Sequence, residues 1–165
     1  MKKIKEKHIK DFDNIIKIVL KHEGKYVNDP NDAGGETNFG ISKRSYPDVD
    51  IKNLTKSDAI SIYKRDYWDR YKVESLPKEL WHIYFDMCIH MGNSRAVKIL
   101  QKSAVNRGRK IKIDGRLGRN TRRALNGVSV NRVRAFRVRY YVELVNKKPR
   151  NEKFYYGWFR RALEV

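Results

Sequence analysis

Two carboxylates nine positions apart, Glu23 and Asp32, are followed by Thr37 in a stretch, residues 22–41, that holds four of the chain's ten glycines. Acid–base cleavage of a glycosidic bond needs two carboxyl groups in unlike surroundings. One stays protonated and hands its proton to the leaving oxygen, while the other stays ionised and activates water. Glu23 closes an amphipathic pattern just before Gly24, where a shielded carboxyl could serve as the acid. Asp32, in the turn sequence Asn31-Asp32-Ala33-Gly34, suits the base, and the Thr37 hydroxyl could hold the attacking water. The same residues read equally as a surface glutamate beside Lys21 and Lys25, a turn aspartate bonding its own backbone, and a threonine bonded to the main chain. Asp29 and Glu36 are reserve carboxylates. A helix interior would lose about 1 kcal/mol at each glycine, so Gly34 and Gly35 are better suited to turns that let backbone amides approach a sugar.

Other chemistries find little support. His22, His82 and His90 form no metal signature with Cys88, and there is no His-Glu-x-x-His, Cys-x-x-Cys or calcium-loop spacing. The glycine cluster lacks the Lys-Ser/Thr ending of a phosphate-cradling loop. No metal and no cofactor are expected. Cys88 is the only cysteine and sits in an apolar run, so it reads as a small buried hydrophobe and no intrachain disulfide can form.

The elements that must position these residues are mostly helical. Phe12, Ile15, Ile16, Val19 and Leu20 predict a helix over 12–22, with Asp11 or Asp13 as its cap. From Tyr26 to Tyr46 the period is lost, and short strands at Tyr26-Val27 and Phe39-Gly40-Ile41 predict a small irregular hairpin, followed by a turn at Ser42–Ser45. Thr55-Lys56-Ser57-Asp58 has capping-box spacing and opens a helix to about Asp69. Further helices are predicted from Pro77, over Ser94–Val105, through Thr121 and Leu125, over Ser129–Asn146 and over Glu152–Leu163. In the helix from Ser129 the inward stripe is read as Val133, Phe136, Tyr140 and Leu144, with Arg132, Arg134, Arg137 and Arg139 keeping wet guanidinium groups.

Charge is uneven along the chain. Of the formal +19, residues 1–80 carry +3 and residues 81–165 carry +16, so the second half presents the stronger field to a polyanion. No zinc finger or recognition helix accompanies it, so no specific nucleic-acid partner is expected. No apolar run approaches a membrane span, and the basic start Met1–Lys10 is not followed by a signal-peptide core.

Taken together, Glu23-Gly24-Lys25-Tyr26 and Asp29–Ile41 resemble the signature of the bacterial and phage N-acetylmuramidases of glycoside hydrolase family 108. The likeness continues through Asp66-Tyr67-Trp68, Phe85-Asp86 with Gly92, and Phe154–Arg161. Ile99–Ala104 and Ile113–Thr121 resemble the predicted peptidoglycan-binding segment that accompanies this family. Lys25 stands where glycine is usual, and Arg119 where proline is common.

The resemblance implies a mainly α, lysozyme-like fold with a small β-hairpin, and cleavage of the β-1,4 bond between N-acetylmuramic acid and N-acetylglucosamine. It assigns the acid to Glu23. The Glu23, Asp32, Thr37 grouping is also similar to that of phage lysozymes, which favours inversion. Residues 1–92 would form the catalytic lobe and 93–165 a basic helical lobe, packed as one compact, monomeric unit. Asp29, Gly34 and Gly35, with the aromatics Tyr26, Tyr46, Trp68 and Tyr71, would bind the glycan. The expected partner is bacterial peptidoglycan, with nonspecific attraction to an anionic envelope. Without a signal segment, an endolysin of this kind would collect in the host cytoplasm and reach the wall through a membrane lesion made by another protein. A noncatalytic peptidoglycan binder and a basic nucleic-acid binder are the alternative readings.

Overall fold

A computed structural model of the chain describes residues 2–22, 26–28 and 35–165. It divides into two compact units, Met1–Arg70 and Tyr71–Val165. Among the described residues the fold is predominantly α-helical with one two-stranded hairpin.

In the first unit, helix α1 spans Lys2–His22. It begins ten residues before the predicted start because nothing in Lys2–Asp11 breaks a helix, so Asp11 and Asp13 are interior positions and cap nothing. Phe12, Ile16, Val19 and Leu20 are its buried stripe, and Phe12 meets the Trp68 ring edge-on with centroids 5.1 Å apart. Strands β1 (Thr37–Asn38) and β2 (Ile41–Ser42) pair antiparallel, with Thr37 opposite Ser42. Phe39 and Gly40 are therefore the turn and not a strand: both have positive φ, 51° and 76°, the pattern of a two-residue turn whose twist matches paired strands. A phenylalanine at positive φ is strained, and the Tyr63 hydroxyl, donating to the Phe39 carbonyl at 2.8 Å, helps hold it there.

Helix α2 (Lys56–Tyr63) opens with the predicted capping box. The Asp58 amide donates to the Thr55 hydroxyl oxygen, while the Asp58 carboxylate accepts from the Thr55 amide. The run to Asp69 continues as a π-helical segment, Lys64–Asp69, rather than as α-helix. Such wide turns are uncommon and often sit at functional positions.

The second unit is built around α3 (Trp81–Met91), reached from Pro77 by a single 3₁₀ turn. Trp81, Ile83, Tyr84, Phe85, Met87, Cys88 and Met91 are all buried, so apolar residues cover most of its circumference, as expected of a central helix. Gly92, at φ 82°, breaks the chain sharply into α4 (Asn93–Asn106), which packs on α3. A basic connector leads to the short α5 (Arg119–Ala124), and α6 (Val130–Lys147), capped by the Ser129 side chain, packs on α4. The terminal α7 (Glu152–Glu164) packs on α6, with Trp158 stacked against Tyr141.

The phase of α6 departs from the sequence reading. Val133 is buried as predicted, but the deepest positions beyond it are Arg137 and Tyr141, while Phe136, Tyr140 and Leu144 are half-buried. Arg137 does not keep a wet guanidinium, since its side chain is 0% exposed. The cause is Asp86 on α3, whose carboxylate receives Arg137 Nη2 at 2.6 Å and Arg161 of α7 at 2.9 Å. Burial penalises ionisation of Asp86, but the two guanidinium groups outweigh that penalty and hold its carboxyl below the usual range.

Candidate active site

Helix α1 delivers the chain to His22, and Glu23 is the next residue in sequence. Glu23, Asp29, Asp32 and Gly34 lie outside the described residues. The ends of the span that carries the last three are described. Val27 and Thr37 form an antiparallel bridge, each amide donating to the other's carbonyl at 2.8 Å. This isolated bridge sets Val27 beside the hairpin, so of the expected Tyr26-Val27 strand the structure forms the pairing at Val27 alone.

The bridge also gathers candidate residues. Thr37, on β1, donates its hydroxyl hydrogen to the Gly35 carbonyl at 3.3 Å. With that hydrogen engaged, the oxygen is left to accept a hydrogen from a neighbouring group. Gly35 has φ 67° and nothing within 4 Å of the place a Cβ would occupy, so backbone conformation rather than crowding explains its glycine. Tyr26 is 38% exposed and donates its hydroxyl to Glu36 Oε1 at 2.9 Å, a bond that raises the tyrosine's own titration. Glu36, a reserve carboxylate on sequence, is thus the anchor of an exposed tyrosine.

Tyr46 is placed from the other strand. Its amide donates to the Ser42 carbonyl at 3.0 Å, and Ser42 is the residue opposite Thr37. The Tyr46 hydroxyl bonds to Asp66 in the π-helical segment, and burial, with Tyr67 and Asp66 adding, pushes its titration well above the ordinary value. Asp66 is gripped by Arg65 through two bonds, at 2.8 and 2.7 Å, which hold its carboxyl below the usual carboxylate range despite some burial. A carboxylate held ionised in this way is a poor proton donor near neutral pH. Asp66 was not among the candidate site residues, although the motif Asp66-Tyr67-Trp68 and a tyrosine at 46 were the available signal.

One aromatic candidate is placed differently from the expectation. Trp68 is 1% exposed and packs on Phe12, so its indole is a core ring and presents no face to a sugar. Tyr71 belongs to the second unit, where its carbonyl accepts the Tyr84 hydroxyl at 3.3 Å. The structure therefore brings Tyr26, Gly35 and Thr37 to one bridge and hangs Tyr46 from the paired strand.

Among the described residues no group of three or more His, Cys, Asp or Glu could hold a metal. Burial pushes the Cys88 thiol far up, against a lowering bond with Tyr84, and His90 is driven down to about 4 by burial beside Arg161 and Arg137. The thiol is therefore no nucleophile at neutral pH, and His90 is neutral there with its Nδ1 facing the Tyr141 hydroxyl.

Residues 16–92 match the family model described as Glycosyl hydrolase 108, and residues 95–163 match the one described as Predicted Peptidoglycan domain. The first match spans Glu23, Asp32 and Thr37. Among solved structures the chain is similar to one titled Structure of Brucella abortus SagA. That likeness has 29% identity and a TM-score of 0.74, over 93% of this chain and 90% of that one. No curated protein matches. The family boundary near residue 93 and the packing boundary after Arg70 are different divisions, because α3 closes the first family segment in sequence yet packs on α4.

Proposed function

Because the chain carries a glycosyl hydrolase 108 domain followed by a predicted peptidoglycan domain, we propose that this peptidoglycan-directed hydrolase is an N-acetylmuramidase. It cleaves the β-1,4 bond between N-acetylmuramic acid and N-acetylglucosamine. Glu23 protonates the glycosidic oxygen, and Asp32 takes a proton from water on the opposite face of the sugar. Thr37 accepts the water's second hydrogen, leaving a water lone pair for the anomeric carbon. Tyr26 and Tyr46 serve as exposed and half-buried walls for the glycan, with Asp29, Gly34 and Gly35 supplying polar backbone and carboxylate contacts.

The observation that carries this reading is the family match over 16–92, which includes both carboxylates and the threonine. Two features support it. The Thr37 hydroxyl already spends its hydrogen on the Gly35 carbonyl, which is the polarity a water-orienting acceptor requires. Asp66 is fixed as an anion by Arg65, which leaves the acid role to another carboxyl. The test is digestion of purified peptidoglycan followed by analysis of the new reducing ends. Muramic acid ends without freed stem peptides support the reading, whereas glucosamine ends or freed peptides reject it. Unchanged glycan would favour a binder.

The protein collects in the cytoplasm and reaches the wall through a lesion made by another protein. No helix among the described residues is long and apolar enough to cross a membrane. Export of the expressed protein from cells with intact membranes would reject this route.

A further inference from the structure

An open groove of about 920 Å³ runs between the connector Arg109–Lys112, the loop Asp114–Gly118 and α5 in the second unit. Six cations line it: Arg109, Lys110, Lys112, Arg116, Arg119 and Arg123, all exposed. Elsewhere in the unit four arginines are paired with carboxylates. Arg137 and Arg161 hold Asp86, Arg139 holds Glu143, and Arg160 holds Glu164. In the groove, Arg109, Lys110, Lys112, Arg119 and Arg123 have no ion-pair partner among the described residues. The one acid of the lining, Asp114, is turned to internal use. Its Oδ1 accepts from Gln101 Nε2 and from the Arg116 amide, each at 2.9 Å.

The wall is also preorganised. Gln101, fully buried on α4, donates to Asp114, the Arg116 carbonyl and Thr121, and accepts from the Gly115 amide at 2.9 Å. One side chain thus fixes the loop and α5 on the same helix, so the cations are presented without an ordering cost in the backbone. Gly115 allows it, because a Cβ there would lie 2.6 Å from Ser94 Oγ.

We infer that this groove binds a flexible phosphodiester polymer that carries no bases, the chemistry of a polyol-phosphate chain. Unpaired cations in a groove of this volume suit several successive charges rather than a single anion. The four arginines offer forked donors that match phosphate oxygens in pairs. The lining contains no Phe, Tyr, Trp or His, so it offers no aromatic platform for successive bases, on which single-stranded nucleic acid draws for much of its affinity beyond charge, and leaves only guanidinium planes, which suit phosphate. The assignment is independent of the hydrolysis reading, since it concerns binding by the second unit and is measured without turnover.

The test uses the full chain and titrates a fluorescent poly(glycerol phosphate) across a salt series. Parallel titrations use a single-stranded oligodeoxynucleotide with as many phosphates and a polyglutamate of equal charge. Expected is tightest binding to poly(glycerol phosphate). Arg116→Gln, Arg119→Gln and Arg123→Gln combined should weaken it roughly tenfold or more and flatten the salt slope by about two to three. Lys147→Gln, Lys148→Gln and Arg150→Gln combined remove the same charge outside the groove and should change it less than about twofold. Arg119→Glu alone, at an exposed position, gives the same readout should the triple variant unfold. Tighter binding to the oligonucleotide, equal binding to polyglutamate, or equal loss in the two triple variants would overturn the assignment.

Discussion

Arg137 Nη2 and Asp86 Oδ2 meet at 2.6 Å with neither side chain exposed to solvent. The pair ties α6 to α3, and Arg161 brings α7 to the same carboxylate from the other side. A second chain of bonds leaves Arg137: its Nε donates to the Tyr141 hydroxyl oxygen at 3.0 Å, and that hydroxyl faces His90 Nδ1 at 3.0 Å. With Arg137 donating, the Tyr141 hydrogen goes to an unprotonated Nδ1, so Asp86, Arg137, Tyr141 and His90 form one directional network.

Removing Arg137 leaves the buried Asp86 carboxylate with Arg161 alone and takes away the donor to the Tyr141 hydroxyl. Arg137→Met should therefore destabilise the chain by roughly 1.5–3 kcal/mol, the range of a lost buried hydrogen bond to a charged group, and more than a surface arginine would. Urea unfolding followed by tryptophan fluorescence measures it, with Arg139→Met as the exposed comparison. A loss below about 1 kcal/mol would mean that the pair is solvated in practice.

The network also sets a pH response. His90, ordinarily near 6.5, is lowered to about 4 in the fold, first by burial and then by Arg161 and Arg137. Between these values the unfolded chain takes up a proton that the native chain refuses. Stability must therefore fall as pH is lowered from 6.5 to 4, by about 3 kcal/mol from this group. Asp86, with its titration depressed, keeps its own contribution through that window and loses it only at lower pH. Unfolding midpoints across pH 4–7 should slope for the parent and flatten for His90→Gln; parallel slopes would assign the response elsewhere.

Glu23→Gln should cost roughly two to four orders of magnitude in the rate of glycan cleavage, the range typical of a lost general acid. Binding to insoluble peptidoglycan should survive, which separates an enzyme from a binder. A folded Glu23→Gln protein that cuts at the parent's rate would place the acid at another carboxyl.

Thr37→Val keeps a β-branched residue on β1 but removes the oxygen. The turnover rate should drop roughly tenfold to a hundredfold with KM nearly unchanged, because the water is misplaced while the glycan still binds. Thr37→Ser should restore most of the rate. Equal melting temperatures in the three proteins would exclude a folding cause.

Gly115→Ala places a Cβ 2.6 Å from Ser94 Oγ at φ 77°, and should destabilise by about 1–3 kcal/mol. Adding Ser94→Ala should recover only part of this, since the backbone cost of roughly 1 kcal/mol remains. Thermal unfolding of the two variants decides the matter; full recovery would make the clash the whole effect.

The sequence carried the helices well where local chemistry governs them. Thr55 with Asp58 announced one helix start, and the helix predicted from Ser129 is capped there by that side chain. It misled where a distant partner decides. Arg137 looks like a solvated residue of a basic helix until Asp86, 51 positions away in sequence, is seen to receive it. Once that pair is buried, the inward face of α6 turns to follow it. Phe39 was read as strand because aromatic residues favour strands, whereas the two-residue turn needs positive φ and a neighbouring hydroxyl to tolerate a side chain there. Trp68 offered the same ring for a sugar wall or a core, and only its contact with Phe12 decides between them. At the site, Thr37 and Tyr26 were legible as candidates from their motif, but the Asp66–Tyr46 link needed a π-helical turn that no local periodicity announces.

The lone thiol gives the second unit a clock. Cys88 is 1% exposed on the central helix, and its burial keeps it from becoming the thiolate that alkylating reagents attack. Labelling can therefore proceed only as fast as α3 comes free of its neighbours, and with no second cysteine there is no competing signal to subtract. The time course of labelling under native conditions thus reads the rate and extent of opening of this helical core, in the untouched chain and without an engineered probe.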